Sequence, residues 1–161
     1  MSIENYVLPA ARTSYFMNVG TLIYGGGASK AVGSEAKRLA VGKDPVLLVT
    51  DKGVMKAGAP NKIKEIMENE GLRVEVYDEL AAEPTLESSR KLIAETRERK
   101  HSLVVGVGGG AVMDSAKTAA VMSTNPGDIN DYMAYAEDRV KEKSLPKILL
   151  PTTSGTGSEV S

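Results

Sequence analysis

Residues 102–111 read SLVVGVGGGA. Leu103, Val104, Val105 and Val107 form a short apolar run suited to a strand buried on both faces. Glycines then crowd together at 106, 108, 109 and 110, just ahead of Val112 to Met122, a small-residue, apolar segment that suits a helix packed tightly on a sheet. From Gly106 to Ala111 the spacing fits G-x-G-x-x-G/A, with Ala111 in the last position. In that pattern the glycines let the backbone approach a pyrophosphate, and the first N–H groups of the helix face the anion. The same residues would also serve as a plain tight turn between a strand and a packed helix.

The pattern repeats on either side. Pro45 to Thr50 (PVLLVT) predicts a second buried strand, Arg73 to Tyr77 (RVEVY) a weaker alternating one, and Lys147 to Leu150 (KILL) a fourth buried strand set off by Pro146 and Pro151. Between them lie helical patterns. Lys30 to Val41 carries apolar Ala31, Val32, Ala36, Leu39 and Ala40. Ile63, Ile66 and Met67 form an i, i+3, i+4 stripe that ends at Gly71, a C′ glycine. Thr85 to Lys100 opens on Thr85 and Ser88–Ser89 as caps and buries Leu86, Leu92 and Ile93. Strands separated by helices imply βαβ units, hence an α/β fold with a Rossmann-like parallel sheet flanked by helices. Tyr15 to Val19 and Thr21 to Tyr24 predict a short N-terminal strand pair about Gly20.

Composition narrows the function. The chain has 161 residues, 42% hydrophobic and 25% charged, which suits one compact soluble domain. Its 20 basic and 21 acidic residues nearly cancel, and no stretch is strongly basic, which argues against a nucleic-acid partner. No apolar run approaches the roughly 20 residues that span a bilayer. The start, MSIENYVLPA, lacks the basic and apolar regions of a secretory signal, so the cytoplasm is the expected location. With no cysteine, disulfides and thiolate metal sites are excluded. Ser154 to Ser161, rich in glycine and serine, follows a strand and reads as a strand-to-helix loop; a domain seldom ends inside such a loop, so the chain is expected to be a fragment.

Other residues could carry chemistry. Asp51 closes the PVLLVT strand, at a carboxyl end where ligands collect in open sheets. It would accept hydrogen bonds from a ribose diol, or it would cap the helix that follows. Asp128 and Asp131 lie downstream of the glycines but in a polar loop, NPGDINDY, with no strand before them. Pro151 to Glu159 (PTTSGTGSE) offers hydroxyls and two glycines at another strand end, suited to a phosphate or a nicotinamide ribose, or to a polar loop with Thr156 or Ser158 as a helix cap. Gly25-Gly26-Gly27 suits a hinge or helix start, and His101, beside Arg99 and Lys100, is expected at the surface. Three such loops at strand ends would converge on one edge of the sheet.

These residues resemble a known family. Gly108 to Lys117 (GGGAVMDSAK) resembles the GGGSxxDxAK motif of the iron-containing (group III, metal-dependent) alcohol dehydrogenases, and Pro151 to Glu159 is similar to their PTTxGTGSE segment. Val49 to Lys52 resembles their VTDK strand end, and Glu83-Pro84-Thr85 their NPT turn. The resemblance, from about Tyr15 onward, implies an N-terminal dinucleotide-binding domain spanning residues 1–161, with an all-helical metal-binding domain to follow it in the whole enzyme. It implies hydride transfer between an alcohol or aldehyde and NAD or NADP. A carboxylate at Asp51 repels a 2′-phosphate and so favours NAD, whereas the neighbouring Lys52 ammonium would reach such a phosphate and offset much of that repulsion. Carried over by position, Gly108, Gly109, Gly110 and Ala111 would hold the pyrophosphate, and Asp114 would lie near the cofactor or stabilise the loop, supported by Lys117. Thr152, Thr153 and Thr156 would line the cleft, and Asp51 would meet the adenosine ribose. Ala111 stands where the family usually has Ser, and Glu83 where it has Asn.

The same resemblance implies a metal, iron or another divalent ion, held by one Asp and three His beyond PTTxGTGSE. The chain has one histidine, so it cannot form that site, and it is expected to be inactive alone. A homodimer fits this reading. A relative of glycerol dehydrogenase or dehydroquinate synthase would differ around Gly155 to Glu159, where GTGSE is intact. A stand-alone nucleotide-binding or regulatory module without catalysis is the reading from another class.

Overall fold

The computed structural model describes residues 20–80, 84–133 and 139–161. In chain order the elements are α1 (Val32–Leu39, entered through a 3-10 turn at Ala28–Ala31), β1 (Val46–Val49), α2 (Lys52–Ala57), α3 (Ala59–Asn69) and β2 (Val74–Tyr77). After them come α4 (Leu86–Arg99), β3 (Leu103–Gly108), α5 (Gly110–Met122), α6 (Asn130–Met133) and β4 (Lys147–Pro151). The four strands are all parallel, in the order β2-β1-β3-β4.

Strand periodicity sorts the core into two layers. Val46 and Leu48 of β1, with Leu103, Val105 and Val107 of β3, pack against Val32 and Ala36 of α1 and Ile63 and Met67 of α3. Leu47, Val49 and Val104 face the other way, onto Leu92 of α4 and Val112, Ala116, Ala119 and Ala120 of α5. The small residues of α5 meet a small residue of the sheet. A methyl group on Gly106 would stand 2.9 Å from Ala116 Cβ and 3.2 Å from Leu149 Cδ2, so β3 and α5 touch almost backbone to backbone there.

Several expectations need correction. Lys147–Pro151 is an edge strand with Ile148, Leu149 and Leu150 only half-buried, because β3 flanks it on one side and no described strand pairs with its other edge. Leu86 is 40% exposed, standing in the first turn of α4, whereas Leu92 and Ile93 are buried as expected. Thr21–Tyr24 takes no strand conformation, and its expected partner Tyr15–Val19 lies outside the described residues, as does Glu83. His101 is buried, its side chain 0% exposed, with Nε2 3.3 Å from Glu75 Oε2. The cause is Lys100, which ends α4 at φ 51 and turns the chain so that the next side chain points inward.

Helix ends follow local chemistry. Thr85 and Ser88 form a reciprocal capping box at the start of α4. Gly71, at φ 85, follows α3 and donates its N–H to the Glu68 carbonyl. Gly25 and Gly27 accept from the Ala28 and Lys30 N–H groups, so that cluster starts a helix. Beyond α5, buried Asn125 acts as a clamp. Its Oδ1 accepts from the Lys141 and Glu142 N–H groups, and its Nδ2 donates to the Val121 and Glu142 carbonyls.

Asp128 and Asp131 belong to this far loop and not to the glycine loop. Asp128 takes a bidentate pair from Arg90 at 2.8 and 2.9 Å, and its backbone N–H donates to Asp131 Oδ2. Arg90, helped by the Asn130 N–H, holds the Asp128 carboxyl at about 2 instead of 3.8. A depressed carboxylate stabilises the fold above its unfolded-state value, and that contribution is lost as pH falls through the folded-state value. Asp128→Asn should therefore be less stable than the parent at neutral pH, with the difference shrinking between about pH 4 and pH 2. Urea unfolding at a series of pH values in low salt checks this.

Candidate functional site

Because every strand is parallel, the carboxyl ends of β1, β3 and β4 share one edge. The chain leaves β1 for β2 on one side, then crosses over to β3 on the other. A crevice opens between the β1 and β3 ends at such a switch point. Asp51 stands on its β1 side and Gly108–Gly110 on its β3 side.

Buried hydrogen bonds fix this edge. The Thr50 hydroxyl donates to the Val107 carbonyl at 2.8 Å and the Thr50 N–H to the Tyr77 carbonyl at 2.9 Å, tying β1 to both neighbours. The Thr152 N–H donates to the Gly108 carbonyl at 2.9 Å, joining the loop after β4 to the glycine loop. Sequence reading passed over Thr50; its signal is a hydroxyl at the end of an apolar strand.

Each glycine of the loop has its own constraint. A Cβ on Gly108 would stand 2.5 Å from Val112 Cγ2, within its own strand-to-helix turn. Gly109 is the N-cap of α5, with φ −79 and ψ −174, and a Cβ there would meet only Thr153, at 3.4 Å from its Oγ1. A Cβ on Gly110 would lie 2.8 Å from Thr156 Oγ1. No side chain caps α5, so the N–H groups of Gly110, Ala111 and Val112 open the helix without partners of the usual kind. Gly109, Gly110, Thr153 and Thr156 thus come together, with Thr152 attached through its backbone.

Thr156 and Ser158 do not cap a helix. Their hydroxyls lie 2.9 Å apart, and the Ser158 N–H reaches back to Thr156 Oγ1 at 3.3 Å in a local turn. Asp114 makes no hydrogen bond to the glycine loop among the described residues. It is 57% exposed and pairs with Lys117 at 2.9 Å, whose Nζ also donates to the Ser161 hydroxyl. Gly110, Asp114 and Lys117 share one stripe of α5, and the chain from Thr156 to Ser161 runs along it. Asp51 caps α2: its Oδ1 accepts from the Val54 N–H at 2.9 Å. Oδ2 has no hydrogen bond among the described residues, so capping leaves one carboxylate oxygen available.

A metal site does not assemble. Among the described residues no three His, Cys, Asp or Glu side chains lie together, and His101 is buried at the opposite, amino-terminal end of β3. A cavity of about 490 Å³ lies elsewhere, lined by Asn125, Asp131, Tyr132 and Arg139 beyond the end of α5. Among the described residues no helix is long and apolar enough to cross a membrane.

A glycine loop, an uncapped helix N-terminus and a strand-end carboxylate thus share the carboxyl edge of a Rossmann-like α/β sheet. The chain belongs to the iron-containing alcohol dehydrogenase family, whose profile it matches over residues 20–161. It is 44% identical over 137 residues to long-chain-alcohol dehydrogenase 1 of Geobacillus thermodenitrificans, covering 84% of this chain and 34% of that protein. It superimposes on a crystal structure of 1,3-propanediol oxidoreductase with a TM-score of 0.81 and 30% identity, covering 93% of this chain and 38% of the other. For sulfoacetaldehyde reductase from Bifidobacterium kashiwanohense in complex with NAD+ the TM-score is 0.80 at 26% identity, covering 93% and 39%. The chain spans about a third of the length of the curated relatives it matches.

The loop geometry separates neighbouring glycines by their tolerance. Gly108→Ala drives a methyl group into Val112 and should cost about 1–3 kcal/mol. Gly109→Ala meets only Thr153, at ordinary van der Waals distance and an ordinary φ, and should cost less than about 1 kcal/mol. Chemical denaturation of the two variants measures the difference.

Proposed function

We propose that this chain is the dinucleotide-binding part of an NAD(P)-dependent, metal-dependent alcohol dehydrogenase, and that it binds the cofactor without turning over substrate by itself. The observation that carries the reading is the uncapped N-terminus of α5 beside Gly109, where only Thr153 stands near the missing side chain.

In this reading the pyrophosphate meets the N–H groups of Gly110 and Ala111, which lack helical partners and carry the positive end of the helix dipole. Gly108 and Gly109 leave the approach clear, and the Thr153 and Thr156 hydroxyls add donors on the β4 side. Thr152 holds that loop to Gly108. Asp51 gives its free oxygen to a ribose hydroxyl while its other oxygen stays on the α2 cap, so one carboxylate both orders the helix and receives the nucleotide. The same charge opposes a 2′-phosphate, which favours NAD over NADP. Bound nicotinamide supplies the hydride acceptor for alcohol oxidation, or the donor for the reverse reaction. Asp114 and Lys117 hold the outer loop in place through Ser161 and stay out of the cofactor's path.

The described residues do not fit an iron ion, since no three His, Cys, Asp or Glu side chains come together among them.

Calorimetric titration with NAD, NADH, NADP and NADPH tests the reading. The parent chain should bind a nicotinamide dinucleotide, more tightly without the 2′-phosphate. Gly109→Val should weaken binding by at least about 10-fold, because its branched side chain fills the phosphate's approach. Equal binding by parent and Gly109→Val would move the site elsewhere.

A further inference from the structure

Past the end of β2 the chain curls back, and Glu79 forms an isolated antiparallel bridge with Asp51. Directly opposed residues in such a bridge project to the same side, with Cβ atoms about 4.5–5.5 Å apart. The strand-end carboxylate therefore has a second carboxylate beside it. Glu79 is exposed and forms an ion pair with Lys91 of α4. The Lys91 hydrogen bond and charge, and more weakly the charge of Lys52, hold the Glu79 carboxyl below the usual range. Lys91 is raised in turn, first by its hydrogen bond to Glu79.

Glu79 thus holds the Lys91 ammonium beside the residue that bridges Asp51, and Lys52 follows Asp51 directly in the chain. An ammonium is a flexible point charge well suited to a phosphate when nothing else holds it. We propose that Glu79 is a specificity-determining residue for the nucleotide: it occupies Lys91 and sets a second carboxylate beside Asp51, and so denies a 2′-phosphate a cation that would offset its repulsion by Asp51. This rests on the reading that the nucleotide's ribose lies at Asp51. With Lys91 held by Glu79, the edge beside Asp51 keeps a second carboxylate and one fewer free cation, which selects for the free diol.

Opposite substitutions on one ion pair give opposite signs. Glu79→Gln keeps the shape, removes one carboxylate and releases Lys91, so the ratio of the NADPH to the NADH dissociation constant should fall by about 3- to 10-fold in low salt. Lys91→Met removes one cation and leaves the Glu79 carboxylate open, so the ratio should rise. Both shifts should fade as salt screens these exposed charges. The measurement is nucleotide fluorescence titration of the 161-residue chain and the two variants. Binding with an unchanged ratio in both variants, or shifts of the same sign, overturns the role of Glu79 and leaves the cofactor site standing. Failure of the parent chain to bind either nucleotide overturns the cofactor site and this inference together.

Discussion

The contact between Gly106 of β3 and Ala116 of α5 leaves no room for even a methyl group, and the geometry of the sheet edge follows from it. Close approach sets the helix directly on the strand that precedes it. The connection can then be only Gly108–Gly110, and the N-terminus of α5 opens at the carboxyl edge of the sheet. Ala119 and Ala120 continue the same small face along the helix. A larger residue in this interface would lift α5 and carry its N–H groups away from Asp51 and from the loop after β4. Packing density in the core therefore decides where donors stand at the surface.

The parallel sheet supplies the second half of the arrangement. One crossover sends the chain from the β2 side of β1 to its β3 side, so Asp51 and Gly108 stand at the ends of neighbouring strands. Thr50 holds those ends together from below through the Val107 and Tyr77 main chains. The loop after β4 is attached at Thr152 but exposed from there to Thr156. That gives a floor of hydrogen-bonded backbone beneath an exposed wall of hydroxyls.

Much of this was legible in the sequence, for reasons that can be traced to particular residues. The β1 and β3 segments are apolar on both faces, which only a doubly covered parallel strand requires, and Thr85 and Gly71 announce helix ends by their chemistry. The glycine loop and the PTTSGTGSE segment identified both the edge and the family. Other features depend on tertiary contacts that local pattern does not carry. KILL reads alike at the centre or the edge of a sheet. His101 sits among charges in sequence, yet a left-handed Lys100 turns it inward onto Glu75. The short helix Lys52–Ala57 contains a glycine and has no apolar period, so only the capping reading of Asp51 hinted at it. Asp51 itself was open to two readings, and the geometry admits both, one for each carboxylate oxygen.

The central claim is that α5 presents its first N–H groups to a dinucleotide. Backbone amide chemical shifts of the isotope-labelled chain, followed during addition of NADH, test it residue by residue. The account predicts the largest changes at Gly109, Gly110 and Ala111, with smaller ones at Asp51 and from Thr152 to Thr156. Changes centred instead on the cavity near Asn125, Asp131 and Arg139, with Gly109 to Ala111 unmoved, would contradict it.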